Sequence, residues 1–368
     1  MSASWVIAGG GTGGHVTLAL ALGEEIVRRG DRVLFIGSDH GLEARLVPSA
    51  GFELEALPAR QVMGRSLPGR ARGISSLLAA ALPARRALAR VDADLVISVG
   101  GYAAMPALLA ALVRRTPVAL LEPNAVPGRV NRLAARIARR VFVGFEAARG
   151  RLRGRDARCV GIPLRRELLE RFAALERHRP ASPFHLLVCG GSQGARQVND
   201  AMIEVAPELA QFPVEVFHQS GEADRERVAA AYRSAGIEAE VVAFEPDMPP
   251  RYAWADVAIG RAGALTVAEL AMVGLPSILI PYPYAADDHQ RANAAALEAA
   301  GAALRLDSRH LEPERIVDAL ASWFAAPVRL EEMGRAARGL ARPDAAAAVV
   351  DACRELFEAA PLEEELVR

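Results

Sequence analysis

Short apolar runs alternate with longer stretches in which apolar positions recur at helical spacing, and the alternation continues along most of the chain. A compact apolar run bounded by glycine predicts a strand buried on both faces, and the helical stretch after it returns the chain for another strand in the same direction. The pattern therefore predicts parallel sheets built from βαβ units. In the first half the strands fall at Val6–Ala8, Val33–Gly37, Leu95–Val99, Val118–Leu121 and Val141–Val143; in the second, at Leu186–Cys189, Val214–Phe217, Val241–Phe244, Val257–Ile259 and Ser277–Ile280. The similar count predicts two α/β domains. Glycine and proline punctuate the chain at Gly161-Ile162-Pro163-Leu164-Arg165, which divides a domain of residues 1–160 from one of residues 161–343. Residues 344–368 are expected to form a C-terminal helix that packs back on the first domain, with the charged stretch Glu355–Arg368 keeping one face in solvent.

A length of 368 residues suits two domains at roughly 100–200 residues each. Charge adds more. All 44 basic residues are arginine and the net charge is zero, yet residues 1–160 carry 23 Arg against 12 acids while the rest carries 21 against 32. A basic first half predicts an anionic partner for that half alone. Nucleic acid is not expected, because the arginines are spread over several helices without interleaved aromatics and no recognised nucleic-acid module appears. Cys159, Cys189 and Cys353 stand apart with no C-x-x-C pair, which predicts neither a zinc site nor a disulfide framework and suits a reducing compartment. The start of the chain lacks a basic stretch followed by an apolar one. The longest apolar stretch, Ala103–Val113, falls far short of the ~20 residues that span a bilayer, so a soluble or peripheral protein is expected.

Two glycine-rich turns stand at the carboxyl ends of strands, where open α/β sheets bind ligands. Trp5–Ala8 runs into Gly9-Gly10-Gly11-Thr12-Gly13-Gly14-His15, and Phe184–Cys189 runs into Gly190-Gly191-Ser192-Gln193-Gly194-Ala195-Arg196. Glycine lets backbone N–H groups approach a ligand closely and the helix start after each turn adds partial positive charge, so each turn is a candidate anion site. Gly9-x-Gly11-x-x-Gly14 also matches the dinucleotide fingerprint, with Asp39 as its ribose acid, or else it is a tight turn with no ligand. His15, directly after the last glycine, is a candidate general base near neutral pH or a structural residue. Gly100-Gly101-Tyr102 and Glu122-Pro123-Asn124 follow two further strands. Tyr102 either faces the site or caps the core, and the Asn124 amide suits sugar hydroxyls. Asp92-Ala93-Asp94 precedes its strand, the wrong edge for a metal-binding acid pair, and reads as a solvated turn. In the second half Arg261-Ala262-Gly263 opens a helix, and Glu269 in its first turns either accepts two hydrogen bonds from a ribose diol or balances charge at the helix start. Asp287, Asp288 and His289 have no partner cluster at ligand spacing, which favours sugar hydrogen bonding by Gln290 and its neighbours over a metal.

Gly10–His15, Gly100–Tyr102, Glu122–Asn124, Gly190–Arg196, His218–Gly221, Ala255–Val257, Gly263–Glu269 and His289-Gln290 with Asn293 follow one another in an order and spacing that resembles the MurG family of peptidoglycan GlcNAc transferases, within glycosyltransferase family 28. The resemblance covers nearly the whole chain. It implies the GT-B fold, two Rossmann-like doubly wound parallel-sheet domains facing a deep cleft, with the lipid acceptor and membrane on the first domain and UDP-GlcNAc on the second. It implies inverting transfer of GlcNAc, with no metal or cofactor, to the MurNAc 4-hydroxyl of undecaprenyl-diphosphoryl-MurNAc-pentapeptide, in peptidoglycan and cell-wall synthesis and hence cell shape and division. The location it implies is peripheral, on the anionic cytoplasmic face of the plasma membrane, with other cell-wall synthesis proteins as candidate partners. By the same resemblance Glu269 binds the ribose diol, and Gly191, Ser192, Gln193 and Gly194 hold the diphosphate. Gln290, Asn124 and the turn at Ala264 bind the GlcNAc hydroxyls, with Leu265, Thr266 and Asn293 beside them. Arg165, Phe244, Glu245 and Met248 lie on the nucleotide side, with backbone groups near residue 245 facing uracil. Thr12, Gly13 and Gly14 line the substrate site before His15, the expected base, whose role Tyr102 or an acceptor group could share.

The chain departs from that family at Thr17-Leu18, where an aromatic-Pro pair is usual, at Pro123 for Gln, at Ile162 for Asn, and at Glu245-Pro246 for Ile-Asp. The last would set a carboxylate near the base if its side chain turned inward. A diacylglycerol glycosyltransferase and a UDP-GlcNAc 2-epimerase are alternative readings; an oxidoreductase would leave Glu269 and the second glycine turn unexplained, and a non-catalytic binder would hold UDP-GlcNAc without turnover. Ile74, Leu77, Leu78, Ala81 and Leu82 recur at helical spacing among Arg65, Arg70, Arg72, Arg85 and Arg86, forming either a membrane-facing stripe or an ordinary core face.

Overall fold

The computed structural model describes residues 2–60, 67–152, 157–191 and 194–358, apart from the side chains of residues 67–74, 78 and 358. The chain divides into two units, one running to Arg166 and resuming at Arg342, the other spanning Glu167–Ala341. In the first, strands β1 (Ser4–Gly9), β2 (Arg32–Ser38), β3 (Glu53–Leu57), β4 (Leu95–Gly100), β5 (Val118–Glu122), β6 (Arg140–Val143) and β7 (Ala157–Cys159) form one sheet in the order β3-β2-β1-β4-β5-β6-β7. In the second, β8 (Phe184–Cys189), β9 (Val214–Gln219), β10 (Glu238–Val242), β11 (Val257–Gly260), β12 (Ser277–Leu279) and β13 (Ala303–Arg305) order as β10-β9-β8-β11-β12-β13. Every pairing is parallel. The strand order reverses between β1 and β4 and again between β8 and β11, and connections that diverge there leave a crevice at the strands' carboxyl ends.

Central strands such as Trp5–Ala8 and Leu186–Val188 are buried on both faces, which is why their apolar runs are unbroken. The three strands that the apolar pattern does not reveal, β3, β7 and β13, are short and lie at or beside sheet edges. There a polar residue loses little. Glu53 and Glu55 of β3 are exposed enough to pair with Arg90 at 2.8 and 3.0 Å. The strand expected at Val241–Phe244 is instead Glu238–Val242, an edge strand with outward glutamates, and Phe244 lies beyond it with half its surface exposed.

The helix Ala345–Glu358 belongs to the first unit, where Val349, Val350 and Cys353 are buried and Phe357 meets Trp5 edge to face at 5.2 Å. Residues 359–368 lie outside the described residues. Asp31 anchors the contact, accepting from the Trp5 indole at 3.0 Å and from Arg354 at 2.7 Å. Burial alone would raise the Asp31 carboxyl, but Arg354, the Ala3 amide and the indole outweigh it and hold its pKa below the usual range.

In the helix Leu67–Arg90, Ala80, Ala84, Ala87 and Leu88 face the core, while Leu82 is half exposed beside exposed Arg85 and Arg86. Leu77 and Ala81 are partly buried. Arg65 and the side chains of Arg70, Arg72, Ile74 and Leu78 lie outside the described residues. Among those described, no helix is long and apolar enough to cross a membrane.

Arg354→Leu is expected to destabilise the first unit by about 1.5–3 kcal/mol, the range for a hydrogen bond to a charged group. Because the folded Asp31 pKa is depressed, this contribution is present above the unfolded value of about 3.9 and is lost as pH falls through the folded value. Denaturant unfolding of both proteins from neutral to acid pH measures it, and the two curves should converge at the acid end.

Candidate active site

In the second unit, β8 ends at Cys189 and the chain turns through Gly190–Gly194 into the helix Arg196–Leu209. Glycine is required here for space and for backbone conformation. A Cβ on Gly190 would lie 2.3 Å from the Ala195 nitrogen, and one on Gly194, whose φ is +73°, would lie 2.1 Å from the Ser220 carbonyl oxygen. Across the switch point, β11 leads through Gly263 into the helix Ala264–Val273. Neither helix start carries a side-chain cap among the described residues. First-turn N–H groups from both helices are therefore left for a ligand, and the two positive dipole ends add to them.

These two starts line a cavity of about 1010 Å³ that also takes in Thr266, Gln290, Tyr282, Arg261 and Arg309. Arg261 is held as a fixed charge, donating to the carbonyls of Ile280 and Pro281 at 3.0 Å and to Gln197 at 3.2 Å. Burial pushes its pKa down, with Tyr282 acting against the shift. Gln290 Oε1 accepts the Tyr282 N–H at 2.9 Å. Asn293 is fully buried and donates to the Ala262 carbonyl at 3.1 Å, so it holds the Gly263 turn from behind and offers no surface of its own. Ser192 and Gln193 lie outside the described residues.

Glu269 lies on the helix Ala264–Val273 beyond Thr266 and does not line that cavity. Its Oε2 accepts the Tyr252 hydroxyl at 2.7 Å. Burial pushes its pKa up to about 7, against the lowering effect of the Tyr252 hydrogen bond. One amide joins the Gly190 turn to the segment expected to face the nucleotide: Gln219, itself buried, donates to the Gly191 carbonyl at 2.8 Å and accepts the Glu245 N–H at 3.0 Å. That occupies the Glu245 amide. The Glu245 carboxylate points to the helix Met248–Trp254, accepting the Asp247 N–H at 2.9 Å and Arg251 Nε at 3.1 Å, and Arg251 in turn lies over the Phe217 ring at 3.8 Å. The Glu245 carboxylate is thus paired with Arg251 of the helix that follows it, which also pairs with Glu240 at 2.8 Å. Beneath the turn, His218 is a buried strut between Tyr232 and Asn199, each at 3.0 Å, and burial drives its pKa down to about 3.

In the first unit the glycine turn after β1 meets a different fate. Glu43, buried, accepts the Gly11 N–H at 3.0 Å and the Ser38 N–H and hydroxyl at 3.0 and 2.7 Å. Thr12 caps the helix Gly13–Arg28, and its hydroxyl oxygen lies 2.7 Å from His15 Nδ1. Gly13 and Gly14 occupy the first turn of that helix. The Tyr102 ring packs on Gly11, where a Cβ would approach it to 3.0 Å. Asn124 follows β5, and Glu122 accepts both its backbone N–H and its amide, at 2.9 and 3.2 Å, along with Gly128 N–H and Asn131 at 2.9 Å. Burial raises the Glu122 carboxyl pKa against the pull of these donors. Arg165 belongs to this unit and pairs with Glu24 at 2.7 Å. His15, Tyr102 and Asn124 therefore stand at the carboxyl ends of β1, β4 and β5, whereas Gly191, Gly194, Ala264, Leu265, Thr266, Glu269 and Gln290 gather in the other unit. Glu43, Gln219 and Arg261 are supporting groups that periodicity does not single out.

Two parallel α/β sheets, each with a glycine turn at its switch point, are the arrangement found in GT-B proteins. Residues 5–143 match the N-terminal domain of glycosyltransferase family 28, and residues 185–349 match its C-terminal domain. The chain belongs to that family. It is 43% identical over 94% of its length, and 96% of the relative, to the UDP-N-acetylglucosamine–N-acetylmuramyl-(pentapeptide) pyrophosphoryl-undecaprenol N-acetylglucosamine transferase of Geobacter metallireducens. The Myxococcus xanthus protein of the same name is 40% identical over 96% of this chain and 92% of the relative. The crystal structure of Acinetobacter baumannii MurG superposes with a TM-score of 0.80 at 30% identity, covering 96% of this chain and 99% of that one. A UDP-GlcNAc 2-epimerase from Neisseria meningitidis, with a TM-score of 0.66 at 13% identity over 96% of this chain and all of its own, shares the fold.

Gln219→Leu leaves the part-buried Glu245 N–H without its acceptor, at a cost of about 1–3 kcal/mol, while the Gly191 carbonyl keeps the Gly194 N–H at 2.9 Å. Urea unfolding should show that loss, and calorimetry should show weaker UDP binding. A variant as stable as the parent would remove Gln219 as the link.

Proposed function

We propose that this chain transfers GlcNAc from UDP-GlcNAc to the 4-hydroxyl of MurNAc in undecaprenyl-diphosphoryl-MurNAc-pentapeptide. The observation that carries the reading is the pair of uncapped helix starts at the Gly190 and Gly263 turns. In the reaction the acceptor oxygen bonds to the anomeric carbon from the face opposite the leaving group, the carbon–oxygen bond to the β-phosphate breaks, and its electron pair leaves with UDP. Fixed amide donors stabilise the charge that develops on the diphosphate and fill the role a metal would otherwise have. The acceptor proton passes to His15 Nε2. That requires the tautomer in which His15 Nδ1–H donates to Thr12, a hydrogen bond that also orients the ring. The names of the relatives favour this acceptor over diacylglycerol and over epimerisation. An oxidoreductase reading is weakened by Glu43, whose carboxylate already takes the Gly11 amide a dinucleotide phosphate would need.

UDP release from UDP-GlcNAc, followed with and without the lipid-linked MurNAc-pentapeptide, tests the proposal. Release should depend on that acceptor, and His15→Ala should lower kcat at least about 100-fold, the span of general base catalysis, with little change in UDP-GlcNAc affinity. Acceptor-independent interconversion of sugar nucleotides would favour the epimerase.

Glu269 gives a pH signature. A ribose diol donates to a carboxylate, so donor affinity should rise with pH through the value near 7 and become flat in Glu269→Gln. For the free protein the sign is opposite: a folded pKa raised above the ordinary 4.5 means stability falls as pH rises from 4.5 to about 7. Calorimetric titration with UDP across that range reads the first effect, and an affinity independent of pH would move Glu269 off the ribose.

On the same reading the membrane face lies on the first unit, at the cytoplasmic surface. Leu82 on the helix Leu67–Arg90 and Leu112 and Val113 on the helix Met105–Arg114, which packs against it, are exposed beside Arg85, Arg86 and Arg115. Each Arg near an anionic surface contributes about 1 kcal/mol, attenuated by salt. Leu82→Ser and Leu112→Ser combined with Arg85→Gln and Arg86→Gln should reduce co-sedimentation with phosphatidylglycerol vesicles and spare UDP-GlcNAc binding. Unchanged co-sedimentation would put the membrane face elsewhere.

A further inference from the structure

At the amino-terminal edge of the second sheet, away from the donor pocket, three side chains converge. His185 lies near the start of β8, Asp256 immediately precedes β11, and His178 lies on the segment leading into β8. His178 Nε2 lies 3.0 Å from Asp256 Oδ1 and 3.4 Å from His185 Nδ1, and His185 Nδ1 lies 3.8 Å from Asp256 Oδ2. Metal bonds of about 2.0–2.1 Å in a tetrahedron set neighbouring donor atoms about 3.4 Å apart; the two imidazole nitrogens stand at that spacing, and an Asp256 oxygen lies within 4.8 Å of both.

Asp256 is fully buried. Its Oδ2 accepts the His185 N–H at 2.9 Å, but Oδ1 has no hydrogen-bond partner among the described residues, although His178 Nε2 is so near. Arg177 lies in the field of this carboxylate, yet its guanidinium donates to the carbonyls of Ala255 and Gly274. A buried carboxylate oxygen without a hydrogen bond is costly unless a cation answers it.

The far side of His185 faces a carboxylate. Its Nε2 lies 3.8 Å from Glu215 Oε2, across a β8–β9 pair in which His185 and Glu215 are in register. A carboxylate there favours the proton on Nε2 and leaves the Nδ1 lone pair facing Asp256 and His178. Trp254 stacks on the ring at 4.5 Å and fixes its plane.

We propose that His178, His185 and Asp256 form a site for a divalent transition cation, with Zn²⁺ the best match to two imidazoles and one carboxylate, and with solvent completing the coordination beside exposed His178. At about 3.3 Å per residue along β8, the site lies about 16 Å from the Gly190 turn, so the ion has no part in glycosyl transfer. It ties the segment before β8 to the edge of the sheet and stabilises the second unit. Its ligands come from three separated positions, which is why no spacing motif announces them.

Titration of the metal-free full-length chain with Co²⁺, read by the visible absorption of tetrahedral Co²⁺, tests the site. The expected result is a band that saturates at one ion per chain, is displaced by Zn²⁺, and is accompanied by a thermal midpoint that rises with Co²⁺ concentration. His178→Ala removes an exposed side chain and should abolish both the band and the midpoint shift while UDP-GlcNAc affinity stays at the parent value. Glu215→Gln should weaken Co²⁺ binding about 10–100-fold. A featureless titration, or a band and midpoint shift that persist in His178→Ala, overturns the site.

Discussion

A helix that begins without a side-chain cap leaves backbone N–H groups in search of an acceptor, and the second unit has two such starts on one cavity. Everything proposed for the chemistry depends on that. The amides are fixed by the turns that precede them, so they need no reorganisation when charge appears on a leaving diphosphate. The first unit has a turn of similar sequence, but Glu43 and the Thr12 hydroxyl already engage it from within. In the second unit the Gly190 and Gly194 amides are engaged as well, by the Gln219 and Gly191 carbonyls, and the first-turn amides of the helix that follows stay open.

The cradle is rigid because buried polar groups stand behind it. Gln219 spans from the Gly191 carbonyl to the Glu245 amide, His218 stays neutral between Asn199 and Tyr232, and Asn293 fixes the Ala262 carbonyl. Each satisfies polar groups around the cradle from within the protein. The same device recurs in the first unit, where Glu122 gathers four donors from the loop after β5. These networks shape the sites without needing to touch substrate.

The architecture was legible because central parallel strands must be apolar on both faces, and all ten apolar runs fall wholly or partly on strands. The missing strands are edges, where Glu53, Glu55 and Arg158 cost little and blur the pattern. Of the candidate site, the glycine turns and Gln290 could be read from the chain, because close backbone approach demands glycine and polar residues after strands have few other uses. Glu43 and the His178–His185–Asp256 cluster could not, and Gln219 and Arg261 show only as motif members, without their supporting roles. Their meaning lies in partners distant in the chain; Asn293, expected beside the sugar, is buried and donates to the Ala262 carbonyl.

The central claim is that the diphosphate is held by the Gly190 and Gly263 helix starts and not by the glycine turn of the first unit. Backbone amide chemical shifts recorded during titration with UDP, and separately with uridine, test it most directly. The account predicts that UDP moves the Arg196, Gln197 and Ala264–Thr266 amides strongly and that uridine, which lacks the diphosphate, leaves them nearly still. Diphosphate-dependent shifts concentrated instead at Gly11–His15 would contradict it.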